Sequence, residues 1–219
     1  MRKLILILMA VMAISWGVSA EALIEGREYA FNTDGAYSLT SVGPGTPGVV
    51  PGGFAQITLS TPGLHYAGFY SDWDIDSELN TYFNEYGAAN GAPAAGLSWE
   101  IDEPEYLFGD IKTNLKNGAL DNANGVPASA PDDVSMALAW NFSLNAGETG
   151  IARFFLGAAA PTSGFFLSHT DPNSAETYYF WSTLEISGGG EVPVPEPSTL
   201  LVVGSAFGWF ALLRKRMKR

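Results

Sequence analysis

The residues with most chemistry to offer are carboxylates. Asp72-Trp73-Asp74-Ile75-Asp76-Ser77-Glu78 sets three aspartates two residues apart. In an extended strand that spacing places all three on one face, whereas in a loop they converge on one ion. Carboxylate oxygens are hard donors and suit calcium, which takes about six to eight of them. Asp72, Asp74, Asp76 and Glu78 therefore form a candidate calcium site. Tested against the calcium loop of an EF-hand, the stretch fails twice. Ser77 stands where that loop needs glycine, and Phe83 where it needs its bidentate glutamate. A second cluster, Glu100-Ile101-Asp102-Glu103-Pro104-Glu105, follows Trp99, and Asp132-Asp133 precedes the most regular strand. The opposing reading is a solvated acidic strand face with Trp73 and Ile75 packed inward. The pattern alone leaves both open.

Catalytic constellations are scarce. The chain has no cysteine, which removes thiol chemistry and any disulfide. Its two histidines, His65 and His169, stand about a hundred residues apart, in or at the end of expected strands. No Gly-x-Ser-x-Gly elbow and no His-Glu-x-x-His helix is present, so nucleophilic and zinc-hydrolase readings lack their parts. The expectation is a protein that is not an enzyme, with each histidine a surface or strand-end residue. Its only cofactor candidate is the calcium ion.

The elements that must position these groups read as β-strands. In Val134–Leu144 the residues Val134, Met136, Leu138, Trp140, Phe142 and Leu144 alternate with small or polar ones, a period of two that loads one sheet face. Thr177–Ile186 alternates similarly, with Tyr179 and Trp181 on the face opposite Tyr178 and Phe180. Phe54–Ser60, Leu64–Ser71, Ala36–Val42, Gly150–Leu156 and Gly164–Thr170 are further strands rich in aromatic and β-branched residues. Asn145-Ala146-Gly147 reads as a hairpin turn, and Glu78–Tyr86 as a short helix. Gly43–Gly53, Gly87–Gly96 and Asn117–Asp133 read as linkers. This pattern predicts an all-β fold, an antiparallel sandwich of jelly-roll or immunoglobulin-like type.

Both ends carry addresses. Met1-Arg2-Lys3 opens a basic stretch, Leu4 to Val18 is apolar, and Val18-Ser19-Ala20 supplies small residues for cleavage after Ala20. Residues 1–20 are thus expected to be a signal peptide, 21–186 the sandwich ectodomain and 187–194 a Gly/Pro linker. At the other end, prolines 193, 195 and 197 hold the backbone extended. An apolar helix over 198–213 is expected next. At about 1.5 Å per residue it spans roughly 24 Å, against a hydrocarbon core of about 30 Å. Arg214, Lys215, Arg216, Lys218 and Arg219 form a stop-transfer tail. Basic residues lie outside both apolar stretches, so 21–197 is placed across the inner membrane. All 23 acidic residues fall in that exported part against four basic ones, a balance of −19 with histidine neutral. Such a surface excludes nucleic acid as a partner and recruits cations.

The run Pro195-Glu196-Pro197-Ser198-Thr199, then an apolar span, then a basic end resembles the PEP-CTERM protein-sorting signal of Gram-negative bacteria. The same signal is also catalogued as an "ice-binding protein C-terminal" domain. The likeness covers about the last 27 residues. It implies that Pro195, Glu196 and Pro197 are the processing motif of an exosortase, a membrane cysteine transpeptidase. The stretch from Asp72 through Asn80–Glu85, Trp99–Pro104 and Leu120-Asp121-Asn122 also looks like a globular part recurring among PEP-CTERM proteins. The resemblance implies a precursor in the inner membrane, with signal peptidase and exosortase as its processing partners. The processed protein would then lie at the cell surface or in the extracellular matrix, alongside exopolysaccharide in a biofilm. The alternative function is a carbohydrate-binding module, calcium-dependent or not, using exposed aromatics such as Tyr179 and Trp181.

Overall fold

The computed structural model describes residues 24–41, 54–75 and 81–189. Ala20, Asp76, Glu78, the Pro195-Glu196-Pro197 motif and the tail from 198 to 219 lie outside these residues. Among the described residues no helix is long and apolar enough to cross a membrane.

The strands are β1 (Ile24–Thr33), β2 (Ala36–Ser41), β3 (Phe54–Leu59), β4 (Gly63–Ile75), β5 (Tyr86–Asn90) and β6 (Leu97–Asp102). After the helix α1 (Ile111–Asn117) come β7 (Ser135–Leu144), β8 (Glu148–Gly157), β9 (Phe166–Thr170) and β10 (Thr177–Gly188). They build two five-stranded antiparallel sheets, ordered β2-β1-β4-β7-β6 and β3-β8-β10-β9-β5. The seven strands expected from alternation are all present. β1, β5, β6 and α1 are additions.

Alternation explains the core. On β4 the side chains of Ala67, Phe69, Trp73 and Ile75 point between the sheets, as do Met136, Leu138 and Trp140 of β7. From the second sheet come Ala152, Phe154, Leu156, Leu167, Tyr178 and Phe180. Phe69 meets Phe154 and Phe180 across the interface, with ring centroids 5.6 and 5.9 Å apart. The two sheets are therefore joined face to face by one apolar layer, as a β-sandwich requires.

Three expectations are corrected. Asn145-Ala146-Gly147 does not close a hairpin, because β7 and β8 lie in different sheets; the turn carries the chain across the sandwich. Gly87–Gly96 is not all linker, since Tyr86–Asn90 forms the edge strand β5. Within the expected helix 78–86, the described residues from Thr81 form a turn, Glu85 bridges to Asp132, and Tyr86 already belongs to β5.

The outer face of the first sheet has a second, smaller core. Ala30, Tyr70, Ala137 and Ala139 there meet Ile111, Leu115 and Leu120 from α1 and the loop after it. Small residues on the sheet let the helix come close. A Cβ on Gly68 would lie 2.7 Å from Leu115 Cδ1. The helix ends on Gly118, in the left-handed conformation at φ 68°. Its last carbonyls are bound from β1, where Asn32 Nδ2 donates to Leu115 O at 2.8 Å and Lys116 O at 3.0 Å. The same outer face carries the acidic site.

Candidate cation site

Three carboxylates meet on that face. β4 is central in its sheet, and its register sets Asp72 between Glu28 of β1 and Ser135 of β7, with Asp74 beside Glu25. Extended geometry turns Asp72 and Asp74 the same way, opposite Trp73 and Ile75. Asp133, two residues before Ser135, arrives from the approach to β7. One carboxylate oxygen from each of Asp72, Asp74 and Asp133 lies within 4.8 Å of the other two. The face is not solvated, since Asp72 is 1%, Asp74 2% and Asp133 8% exposed.

What covers them is the segment between β6 and α1. Tyr106 Oη donates to Asp72 Oδ2 at 3.3 Å. Glu105 pins this segment to the helix by accepting from Thr113 N at 3.0 Å and Thr113 Oγ1 at 2.6 Å. A cleft of about 590 Å³ remains, with Asp72, Asp74, Asp132, Asp133, Glu103 and Arg27 at its polar side. Tyr82, Phe83, Tyr106, Leu107 and Phe108 line the rest.

Counter-charge is present but incomplete. Arg27 Nε donates to Asp74 Oδ2 at 2.5 Å, and its Nη2 pairs with Glu25 Oε2 at 2.9 Å. Lys112 Nζ holds Glu28 at 2.9 Å. Neither Asp72 Oδ1 nor Asp133 Oδ1 has a hydrogen-bond partner, although both atoms are buried. Burial pushes the Asp72 carboxyl well above the usual carboxylate range, helped by the charges of Asp133, Asp74 and Glu28. Burial likewise lifts Asp133 to about 7, with Asp74, Glu85, Asp132 and Glu103 adding to it. Asp74 is raised by burial against the opposing pull of Arg27. A buried carboxylate oxygen without a donor is costly, and a hard cation supplies what is missing.

The second acidic cluster is of another kind. Glu100, Asp102 and Asp110 also come within 4.8 Å of one another. Each already has a hydrogen-bonded oxygen: Glu100 accepts from Asn114 Nδ2 at 3.0 and 3.2 Å and from Asp121 N at 3.3 Å. Asp102 Oδ2 accepts from Asp110 N at 2.8 Å, and Asp110 Oδ1 from Asn114 Nδ2 at 2.8 Å. These bonds bracket α1 against β6.

Neither histidine joins the site, and neither is a surface residue. His65 is buried between Asp34 Oδ2 (2.8 Å from Nδ1) and Thr61 O (2.6 Å from Nε2). An ionised Asp34 and the Thr61 carbonyl only accept, so the pair favours the doubly protonated ring and raises the His65 pKa above the ordinary imidazole value. His169 is buried against Glu85, whose other oxygen accepts from Ile75 N at 2.9 Å. Tyr179 and Trp181 lie half-buried on the outer face of the second sheet. Trp181 stacks on Phe155 at 5.4 Å and 14°, and Tyr179 meets Phe166 edge-on at 5.7 Å.

Asp72 and Asp74 are thus brought together as their spacing suggested, and Asp133 and Arg27 are the partners that the sequence alone did not assign. The available signal was the Asp132-Asp133 pair just ahead of the strand that turns out to flank β4. Comparison with protein-family models, with curated proteins and with solved structures finds no match to this chain.

Proposed function

We propose that the chain is an exported, non-enzymatic surface or matrix protein whose sandwich, jelly-roll or immunoglobulin-like in kind, binds one calcium ion at Asp72, Asp74 and Asp133. The observation that carries the cation is the pair of buried, unpartnered oxygens, Asp72 Oδ1 and Asp133 Oδ1, on two of the three aspartates whose carboxylates come within 4.8 Å of one another. Oxygens about 2.4 Å from one calcium ion lie at most about 4.8 Å apart, a limit that the three aspartates meet. An oxygen-only donor set favours calcium or magnesium over zinc or copper. Magnesium holds a tight octahedron and keeps its water, whereas calcium accepts the irregular set that a strand and a loop provide.

The decisive experiment is calcium titration of the purified chain by calorimetry. One ion per chain is expected, with binding lost in Asp72→Asn/Asp133→Asn and kept in Glu100→Gln. No binding below about 10 mM calcium, or binding indifferent to the two aspartates, refutes the site. The address is a separate part of the proposal, supported by the two terminal signals. Cleavage after Ala20 and exosortase processing at Pro195-Glu196-Pro197 would convert an inner-membrane precursor into the surface form. Replacing that triplet with alanines is expected to leave the precursor in the inner membrane; unchanged release to the surface would contradict it.

A further inference from the structure

We infer that the ion at Asp72, Asp74 and Asp133 presents its remaining coordination positions to a neutral saccharide seated in the cleft above it. This rests on the cation reading and names the ligand of the same site. Three aspartates cannot fill the shell of about six to eight oxygens that calcium takes. Asp72, Asp74 and Asp133 all line a cleft of about 590 Å³, within the range of about 300–1,000 Å³ typical of small-molecule sites. Adjacent hydroxyls on a sugar ring offer two hard oxygens to one ion, in place of water.

The walls fit the other half of such a ligand. Phe83, Tyr106 and Phe108 line the cleft and are each more than half exposed, although Phe83 lies beside the Tyr82 ring (centroids 4.2 Å apart) and Tyr106 beneath Lys112 Nζ at 4.6 Å. A saccharide presents C–H faces that lie against aromatic rings while its hydroxyls turn to the floor. Tyr106 joins the two halves, since it lines the wall and donates to Asp72. A wholly apolar occupant would strip water from the ion and its carboxylates without replacing it, which is unfavourable.

Charge selects the kind of saccharide. Among the described residues lining the cleft, Asp72, Asp74, Asp132, Asp133 and Glu103 are set against Arg27 as the one basic side chain, so with one divalent ion bound this lining still carries net negative charge. A uronate or a phosphorylated sugar is repelled, and a neutral one is not.

The test uses the purified full chain on an array of neutral and acidic oligosaccharides, in 1 mM calcium and in EDTA. Hits are followed by calorimetry on wild type, Phe83→Ala and Phe108→Ala. Expected are neutral hits in calcium only, with affinity lowered about tenfold or more in the ring variants while calcium affinity is unchanged. The inference is overturned if calcium binds but no neutral saccharide does, if acidic saccharides are preferred, if binding survives EDTA, or if the ring variants bind as wild type. Absence of calcium binding instead overturns the cation reading beneath it.

Discussion

Asp133→Asn should stabilise the protein without metal and weaken it with metal. In the folded chain burial and four neighbouring carboxylates lift Asp133 from the ordinary 3.8 to about 7. Its folded pKa thus lies above its unfolded one, and the native state holds a proton that the unfolded chain releases. The associated stability is full below about pH 4 and is lost as pH rises towards 7. At about 1.4 kcal/mol per pH unit, the loss approaches 4 kcal/mol by pH 8. Asparagine keeps the shape of the protonated acid and carries no charge, so the variant avoids that loss. In EDTA at pH 8, urea denaturation should show Asp133→Asn more stable by up to about 4 kcal/mol, with the advantage gone at pH 4. In saturating calcium the order should reverse, because the variant lacks a ligand. A variant no more stable than wild type in EDTA at pH 8 would refute the claim that Asp133 is a buried, uncompensated carboxyl.

Three further outcomes are expected. Trp140 is 7% exposed and donates across the sandwich to Ser182 Oγ at 3.0 Å; Trp140→Ala should cost about 3–5 kcal/mol in a denaturation midpoint, and an unchanged midpoint would contradict its place in the core. Gly68→Ala should cost about 1–3 kcal/mol through overpacking against Leu115, and less than that when introduced into a Leu115→Ala background, itself destabilised by loss of a buried side chain. The charged His65, its pKa raised by Asp34 and Thr61, should stabilise the fold below about pH 6.5 and lose that contribution as pH rises through its folded pKa. The melting-temperature gap between wild type and His65→Gln should therefore narrow from pH 6 to pH 9, and a constant gap would contradict the doubly bonded imidazolium.

Alternation made the strands legible. β7 is readable because Met136, Leu138, Trp140 and Phe142 repeat at period two against small residues. β5 escaped because Gly87, Ala88, Ala89 and Asn90 carry no β-branched or large apolar side chain; tertiary pairing with β9, not local preference, makes them a strand. α1 escaped because seven residues give too little periodicity, and only Ile111 and Leu115 are buried. Asp72 and Asp74 announced themselves by spacing. Asp133 could not, because its nearness to Asp72 follows from the β4–β7 register, about sixty residues apart in sequence. The same holds for Arg27, which the β1–β4 pairing carries to Asp74. The sequence also misleads about solvation. A run of aspartates reads as a wet face until the loop carrying Tyr106 and the helix behind it are seen to cover it.

Thermal unfolding of the full chain in millimolar calcium against EDTA tests the cation site most directly. Ligand at about 100 times its dissociation constant adds about 2.7 kcal/mol when it binds only the folded state. For a domain of this size that raises the melting temperature by about 5–10 °C. The rise should vanish in Asp72→Asn/Asp133→Asn and persist in Glu100→Gln. A rise below about 1 °C in the wild-type chain, or one that the double substitution leaves intact, would contradict the assignment of Asp72, Asp74 and Asp133 as the seat of the ion.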